Sequence, residues 1–272
     1  MTLITCFYLV IGFSLQLITP NLEHLTLGEN ELKMIVAGEF QKNLLDKLKA
    51  LTLYFEIEWD EFLDYGFLQQ LPNVKKLNVV RRRSFKVIFC HQTPDNSEHL
   101  LQLKELYLES LAELVSISSS SLEKVVSCRV SFSNLICLKV HNCHRLSYLF
   151  TSSIAQSLAQ LQRMEINECK SIEEIVSKEE GEESNEDEII FPQLSCLNLD
   201  SLLKLRRFYR GSLSFPLLEE LSIKFCEEME TLCGGTVKID KLSQVNINYM
   251  TISLESNINS TMRKQFVKKV CV

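Results

Sequence analysis

The sequence predicts an α/β solenoid with a parallel concave sheet of about nine short strands, on three observations. First, two apolar residues flanking one polar residue recur along the chain as Leu25/Leu27, Leu51/Leu53, Leu77/Val79, Leu106/Leu108, Leu138/Val140, Met164/Ile166, Leu197/Leu199, Leu221/Ile223 and, more weakly, Val245/Ile247. The steps between these pairs run from 24 to 33 residues, close to the roughly 20 to 29 of a stacked repeat, with insertions in two or three units. Second, an apolar residue stands three before every pair: Leu22, Leu48, Val74, Leu103, Leu135, Leu161, Leu194, Leu218 and Leu242. Third, Pro20, Pro72, Pro192 and Pro216 each lie two residues before that leading position. An extended lead-in is expected there, because proline fixes φ and supplies no ladder hydrogen bond.

The segment 161–176, LQRMEINECKSIEEIV, shows how one unit is built. Met164 and Ile166 alternate with Arg163, Glu165 and Asn167, so a short strand points two apolar side chains inward and three polar ones outward. Cys169 and Ile172 continue the apolar set after the alternation stops. Such a unit cannot bury its own apolar face and is stable only between copies of itself. The pattern LxxLxLxxCxxL defines a leucine-rich-repeat horseshoe whose convex side is irregular or short-helical.

Taken in order, residues 1–21 form an apolar N-terminal segment or a degenerate first repeat, and 22–260 the solenoid. The run 3–18 has the hydropathy of a signal-peptide core, but no Lys or Arg follows Met1 and the run passes directly into the first repeat. The segment 152–161, SSIAQSLAQL, places Ile154, Leu158 and Leu161 at helical spacing behind serines suited to capping the first turn. Residues 118–121 and the arginine cluster 81–83 read as solvated loops, as does the polar stretch 92–98 around Pro94. The acidic run 178–188 carries seven acids and one lysine and has no apolar surface with which to join a core, so it reads as a loop. The chain closes at 261–272, where Met262, Phe266 and Val270 share one face of an expected capping helix.

Charge and composition narrow the function. Apolar residues make up 46% of the chain and the net charge is −6. The acidic run alone accounts for that charge, which leaves the remainder neutral and removes the usual electrostatic support for nucleic-acid binding. The interrupted run 3–18 is also short for a membrane span. Ten cysteines lack the short paired spacings of a disulfide framework, which favours a reducing compartment.

Cys143, Cys169 and Cys226 recur where the repeat turns out of its strand, with Asn30 in the same frame, and are expected to be buried structural residues. Cys137, His141, Cys143 and His144 have metal-ligand chemistry, but Cys137 and His141 should face outward and Cys143 inward, so no metal site is expected. The sequence contains no glycine-rich phosphate loop, HExxH or GxSxG, and no enzymatic activity or cofactor is expected.

What remains is a surface of three parallel polar columns on the concave sheet. The middle column runs Thr26, Thr52, Asn78, Tyr107, Lys139, Glu165, Asn198, Ser222, Asn246. With flanking residues it supplies the expected protein-contact set: Lys76, Asn78, Tyr107, Glu109, Lys139, His141, Arg163, Glu165, Asn167, Asn198, Asp200 and Lys224. Mixed charge with an aromatic, an arginine and several amides suits a protein face.

Four further stretches carry a family resemblance: LxVxxCxxLxxLF at 138–150, TSSIAQSLAQLQRMEINECKSIEEIV after it, IFPQLSCLNLDSLLKL at 190–205 and FPLLEELSIKFCEEMETL at 215–232. With them the chain resembles the leucine-rich-repeat region of plant intracellular immune receptors of the coiled-coil, nucleotide-binding class. The resemblance implies a cytoplasmic sensor in pathogen defence, whose repeats detect an effector or guarded host protein and hold a nucleotide-binding switch inactive. Neither that domain nor a coiled coil precedes residue 22, so this sequence by itself is not expected to hydrolyse ATP. The alternatives are a stand-alone adaptor of the ubiquitin-ligase substrate-receptor type, for which the region before Leu22 is short, and a secreted repeat protein.

Overall fold

The computed structural model describes residues 4–5, 22–28, 45–54, 63–64, 71–82, 87–90, 99–100, 102–118, 130–178, 188–254 and 257–267. Expectations for Pro20, Asn30, Pro94, the acidic stretch 179–187 and the last five residues fall outside them.

Among the described residues, eleven strands form one sheet in strict chain order. They are β1 (Ile4–Thr5), β2 (His24–Leu27), β3 (Ala50–Tyr54), β4 (Lys76–Arg82), β5 (Glu105–Leu111), β6 (Cys137–His141), β7 (Arg163–Asn167), β8 (Cys196–Asp200), β9 (Glu220–Lys224), β10 (Gln244–Ile247) and β11 (Met250–Ser253). The expected nine parallel strands are β2 to β10, and every apolar pair sits beside its counterpart: Leu51 on Leu77, Leu106 on Leu138, Met164 on Leu197, Ile223 on Ile247. A slip of one residue would turn each buried set to solvent, so the shared alternation enforces the register. β11 is the departure, folding back antiparallel on β10 through Asn248 and Tyr249, both with positive φ. Two such residues in succession make the twist-matched hairpin turn that closes this end of the sheet.

Each coil repeats the same hydrogen bonds. The lead-in is a β-turn rather than extended chain, closed by Val74 N on Leu71 O (3.1 Å), Leu194 N on Phe191 O (3.4 Å) and Leu218 N on Phe215 O (3.4 Å). Pro72, Pro192 and Pro216 hold the second position of these turns, which suits proline's fixed φ. Coils without proline make the same turn, as in Leu48 N on Leu45 O and Leu161 N on Leu158 O. The two amides that follow both donate to one carbonyl of the preceding coil: Lys75 and Lys76 to Lys49 O, Gln162 and Arg163 to Ile136 O, Glu219 and Glu220 to Ser195 O. On the far side of the strand the chain leaves through one left-handed residue, Ser110, Asn142, Glu168, Ser201 or Phe225.

The core is a continuous stack of the repeat leucines. Leu51, Leu77, Leu106, Leu138, Leu161, Met164, Leu194 and Leu197 are fully buried, as are Cys143 and Cys169. Behind them Phe191 stacks on Phe215 at 5.5 Å, and Phe208 meets both edge-on. The Phe-Pro pairs therefore have two functions: the phenyl ring fills the coil interior and the proline shapes the turn.

Among the described residues, much of the convex limb is short parallel strand. Leu63–Asp64, Val87–Cys90 and Ser116–Ser118 form one small sheet, and Glu188–Ile190, Ser212–Phe215 and Val237–Ile239 another. Three loop expectations change accordingly: Arg81 and Arg82 continue β4, Ser118 ends a strand, and Glu188 begins one. Only α1 (Ser152–Ser157) interrupts this limb with helix among the described residues before 257. Its N-cap is Thr151 and no side chain caps it, so the serines do not have the expected role.

A second helix, α2 (Ile258–Val267), begins behind Asn257, whose Oδ1 accepts the Asn259 amide at 2.7 Å. Ile258 and Met262 are buried against the last coil. Asn259 reaches its backbone, accepting from Leu232 N at 2.8 Å and donating to Cys233 O at 3.2 Å. No helix among the described residues is long and apolar enough to cross a membrane.

Candidate functional site

The middle polar column lies in register across all nine repeat strands, Thr26 to Thr52, Asn78, Tyr107, Lys139, Glu165, Asn198, Ser222 and Asn246. Strand spacing sets such neighbours about 4.8 Å apart, within reach of long side chains. A flanking column runs Lys76, Glu105, Cys137, Arg163, Cys196, Glu220, and the other Val80, Glu109, His141, Asn167, Asp200, Lys224.

Between β4 and β8 the two columns are knitted into one network. Lys76 Nζ pairs with Glu105 at 3.0 Å and lies 4.4 Å from the centre of the Tyr107 ring. Tyr107 donates its hydroxyl to the same Glu105 carboxylate oxygen at 3.0 Å. Lys139 approaches the ring at 5.8 Å and pairs with Glu165 at 2.9 Å. Arg163 reaches the other Glu165 oxygen at 3.3 Å and the Cys196 thiol at the same distance. Two cations thus frame one aromatic ring while two carboxylates hold the cations in place.

The electrostatics follow from these contacts. The hydrogen bond from Lys76 holds Glu105 below the usual carboxylate range, against partial burial. Burial, then the Glu105 bond, pushes the Tyr107 phenol up. Burial, then Glu220, raises the Cys196 thiol to about 11, which makes it a poor nucleophile at neutral pH.

Of the twelve expected contact residues, Lys76, Tyr107, Lys139, Glu165 and Arg163 share this network. The others do not. Asn78 turns back to Thr52 (2.9 Å), Asp200 accepts from Ser201 (2.8 Å), and Lys224 lies 5.1 Å from the Tyr249 ring centre. Glu109 is exposed, and His141, Asn167 and Asn198 are half-buried along the columns. Glu105 and Cys196 lie outside the expected set yet join the network, and both stand directly before an LxL pair, as Lys76 and Arg163 do. Cys137 is half-exposed on the concave face and Cys143 fully buried, so the two lie on opposite sides of the sheet.

At the strand exits the recurring cysteines bond to backbone. Cys143 Sγ donates to His141 O (3.5 Å), Cys169 Sγ to Asn167 O (3.4 Å) and Cys226 Sγ to Lys224 O (3.3 Å). Cys143 N donates to Cys169 Sγ at 3.4 Å, which ties one coil to the next. Burial raises the Cys226 thiol to about 12, and sharing with Cys169 together with burial pushes Cys143 up.

These features define the class as a leucine-rich-repeat solenoid with a polar, internally braced concave sheet. The family described as plant disease resistance protein RPS2-like, leucine-rich repeats, matches residues 21–170 and 131–252. The chain belongs to that family. It is 30% identical over 199 residues to probable disease resistance protein At5g47260 of Arabidopsis thaliana, covering 70% of this chain and 19% of that protein. It is 31% identical over 268 residues to probable disease resistance protein At1g61190 of the same plant, covering 86% and 27%. Disease resistance protein RPS5, also from Arabidopsis thaliana, is 34% identical over 101 residues, covering 37% and 11%. The chain therefore spans between about a tenth and a quarter of the length of these relatives.

Proposed function

We propose that the chain is a non-enzymatic protein-recognition module of the plant defence response, working in the cytoplasm, whose concave face binds a pathogen effector or a guarded host protein. In a longer receptor the same repeats would hold that receptor's own nucleotide-binding domain inactive. The observation that carries the proposal is the braced network from Lys76 to Arg163. It offers a partner an aromatic ring and charges of both signs whose side chains are already ordered, so little rotamer entropy is lost on binding. Free thiols at Cys137, Cys143, Cys169, Cys196, Cys226 and Cys233 support a reducing compartment.

Site-specific photocrosslinking tests this. A benzophenone side chain replacing Lys139, on the concave face, should capture a discrete protein in challenged plant tissue. The same group replacing Lys238, on the convex strand Val237–Ile239, should not. Equal capture from both positions, or none from Lys139, would reject the proposal.

A further inference from the structure

In five successive coils the residue through which the chain leaves the concave strand has left-handed backbone, and in the first four it is polar: Ser110, Asn142, Glu168 and Ser201, with φ of 58°, 57°, 56° and 57°. In the next coil it is Phe225, at φ 50°. A bulky aromatic is an outlier in that conformation, and such strain is retained where the surroundings over-determine it. Here Asn248 does so, its Oδ1 accepting the Phe225 amide at 2.8 Å.

The strain does not serve to bury the ring. Phe225 is 44% exposed, and it meets edge-on, at 5.8 Å, the ring of Tyr249, which also has positive φ and is 72% exposed. Met250 beside it is 56% exposed. Lys224 lies 5.1 Å from the Tyr249 ring centre and makes no ion pair among the described residues, although Asp200 is its register neighbour. The exit of β9 and the β10–β11 hairpin thus present an apolar lip beside Lys224, a cation with no ion pair among the described residues.

We infer that this lip anchors a segment of a partner protein in which an aromatic or aliphatic side chain, seated against Phe225 and Tyr249, is next to a single carboxylate that meets Lys224. Glu227 and Glu230 follow on the same exposed turn and oppose a polyacidic tract, whereas Glu228 is engaged by Arg206 at 3.6 Å. A second copy of the chain fits less well, because a two-fold contact through the lip would set Lys224 against Lys224. The inference rests on reading the chain as a recognition module, but it concerns a surface separate from the Lys76 to Arg163 network.

The test is fluorescence anisotropy on the full chain with labelled ten-residue peptides carrying Leu-Phe beside one Glu. Control peptides replace the Phe by Ser or the Glu by Lys. The first peptide should bind, each control should bind at least about tenfold more weakly, and Tyr249→Ser should cost a similar factor, as for a hot-spot aromatic. Lys224→Gln should weaken binding and flatten its salt dependence. Tyr107→Leu should leave peptide binding unchanged.

Thermal melts should match for the wild type and Tyr249→Ser, since Tyr249 is exposed. The inference is overturned if no peptide binds below about 1 mM, a weak-affinity limit, if the Lys control binds equally, or if Tyr249→Ser has no effect. It is also overturned if sedimentation shows a dimer that Tyr249→Ser dissolves, which would make a second copy the occupant. Photocrosslinking from Lys139 that persists while the peptide result fails would separate this inference from the proposed function.

Discussion

Lys76 and Tyr107 meet diagonally across adjacent strands, the ammonium 4.4 Å from the ring centre, while Glu105, the register neighbour of Lys76, binds both groups through one carboxylate oxygen. Half-exposed contacts of this kind organise a surface more than they stabilise a fold. A double-mutant cycle of Lys76→Met and Tyr107→Leu, measured by urea denaturation, should give a coupling of about 0.5–1 kcal/mol. A coupling indistinguishable from zero would show that the two side chains are ordered independently.

The fully buried Leu138 and Leu221 and the concave Lys139 and Glu165 test the inward and outward assignment. Leu138→Ala or Leu221→Ala should cost roughly 2 to 5 kcal/mol, since stacked coils collapse poorly around a missing side chain. Lys139→Ala or Glu165→Ala should stay within about 0.5 kcal/mol. Similar losses from both kinds of variant would contradict the assignment.

Gly234 is exposed yet cannot carry a side chain. A Cβ there would lie 2.3 Å from Arg210 O, a backbone atom of the previous coil that is unable to swing away. Gly234→Ala should therefore destabilise by about 1–3 kcal/mol, the range for overpacking, as read from thermal unfolding. An unchanged melting temperature would mean that the convex coils slide past one another easily.

Because Lys76 lowers the folded-state pKa of Glu105, the stabilisation from this pair is present above the unfolded carboxylate's pKa. It is lost as pH falls through the depressed folded value. In an NMR titration Glu105 should titrate below ordinary glutamates and move upward in Lys76→Met. A Glu105 curve that the substitution leaves in place would assign the shift to another cause.

Cys143, Cys169, Cys196, Cys226 and Cys233 are buried free thiols. With Cys196 raised to about 11 and Cys226 to about 12, neither is appreciably ionised at neutral pH. Peptide mapping after iodoacetamide at neutral pH should find them unmodified in the folded chain and modified once it is unfolded. Rapid labelling of Cys226 in the folded protein would contradict the packing at its strand exit.

The register was legible because every unit states it twice, in its apolar pair and in the leucine three residues earlier, and a slip costs all units at once. Tyr107, Lys139 and Glu165 were legible as neighbours for the same reason. The small convex sheets were not, since two-residue pairings such as Phe150 with Val176 leave no period to detect. Nor was the Phe225 and Tyr249 contact, which depends on a hairpin turn through Asn248 and Tyr249 that carries no glycine.

By itself the sequence determined the repeat, its register and the residues that face inward, because burial of a periodic apolar set admits one stacking. Tertiary structure decided which outward residues act together. Arg163 meets Cys196 from a position 33 residues earlier, and Lys224 turns to Tyr249 instead of its register neighbour Asp200. Such choices turn on a few ångströms of side-chain reach across coils, which spacing along the chain does not encode.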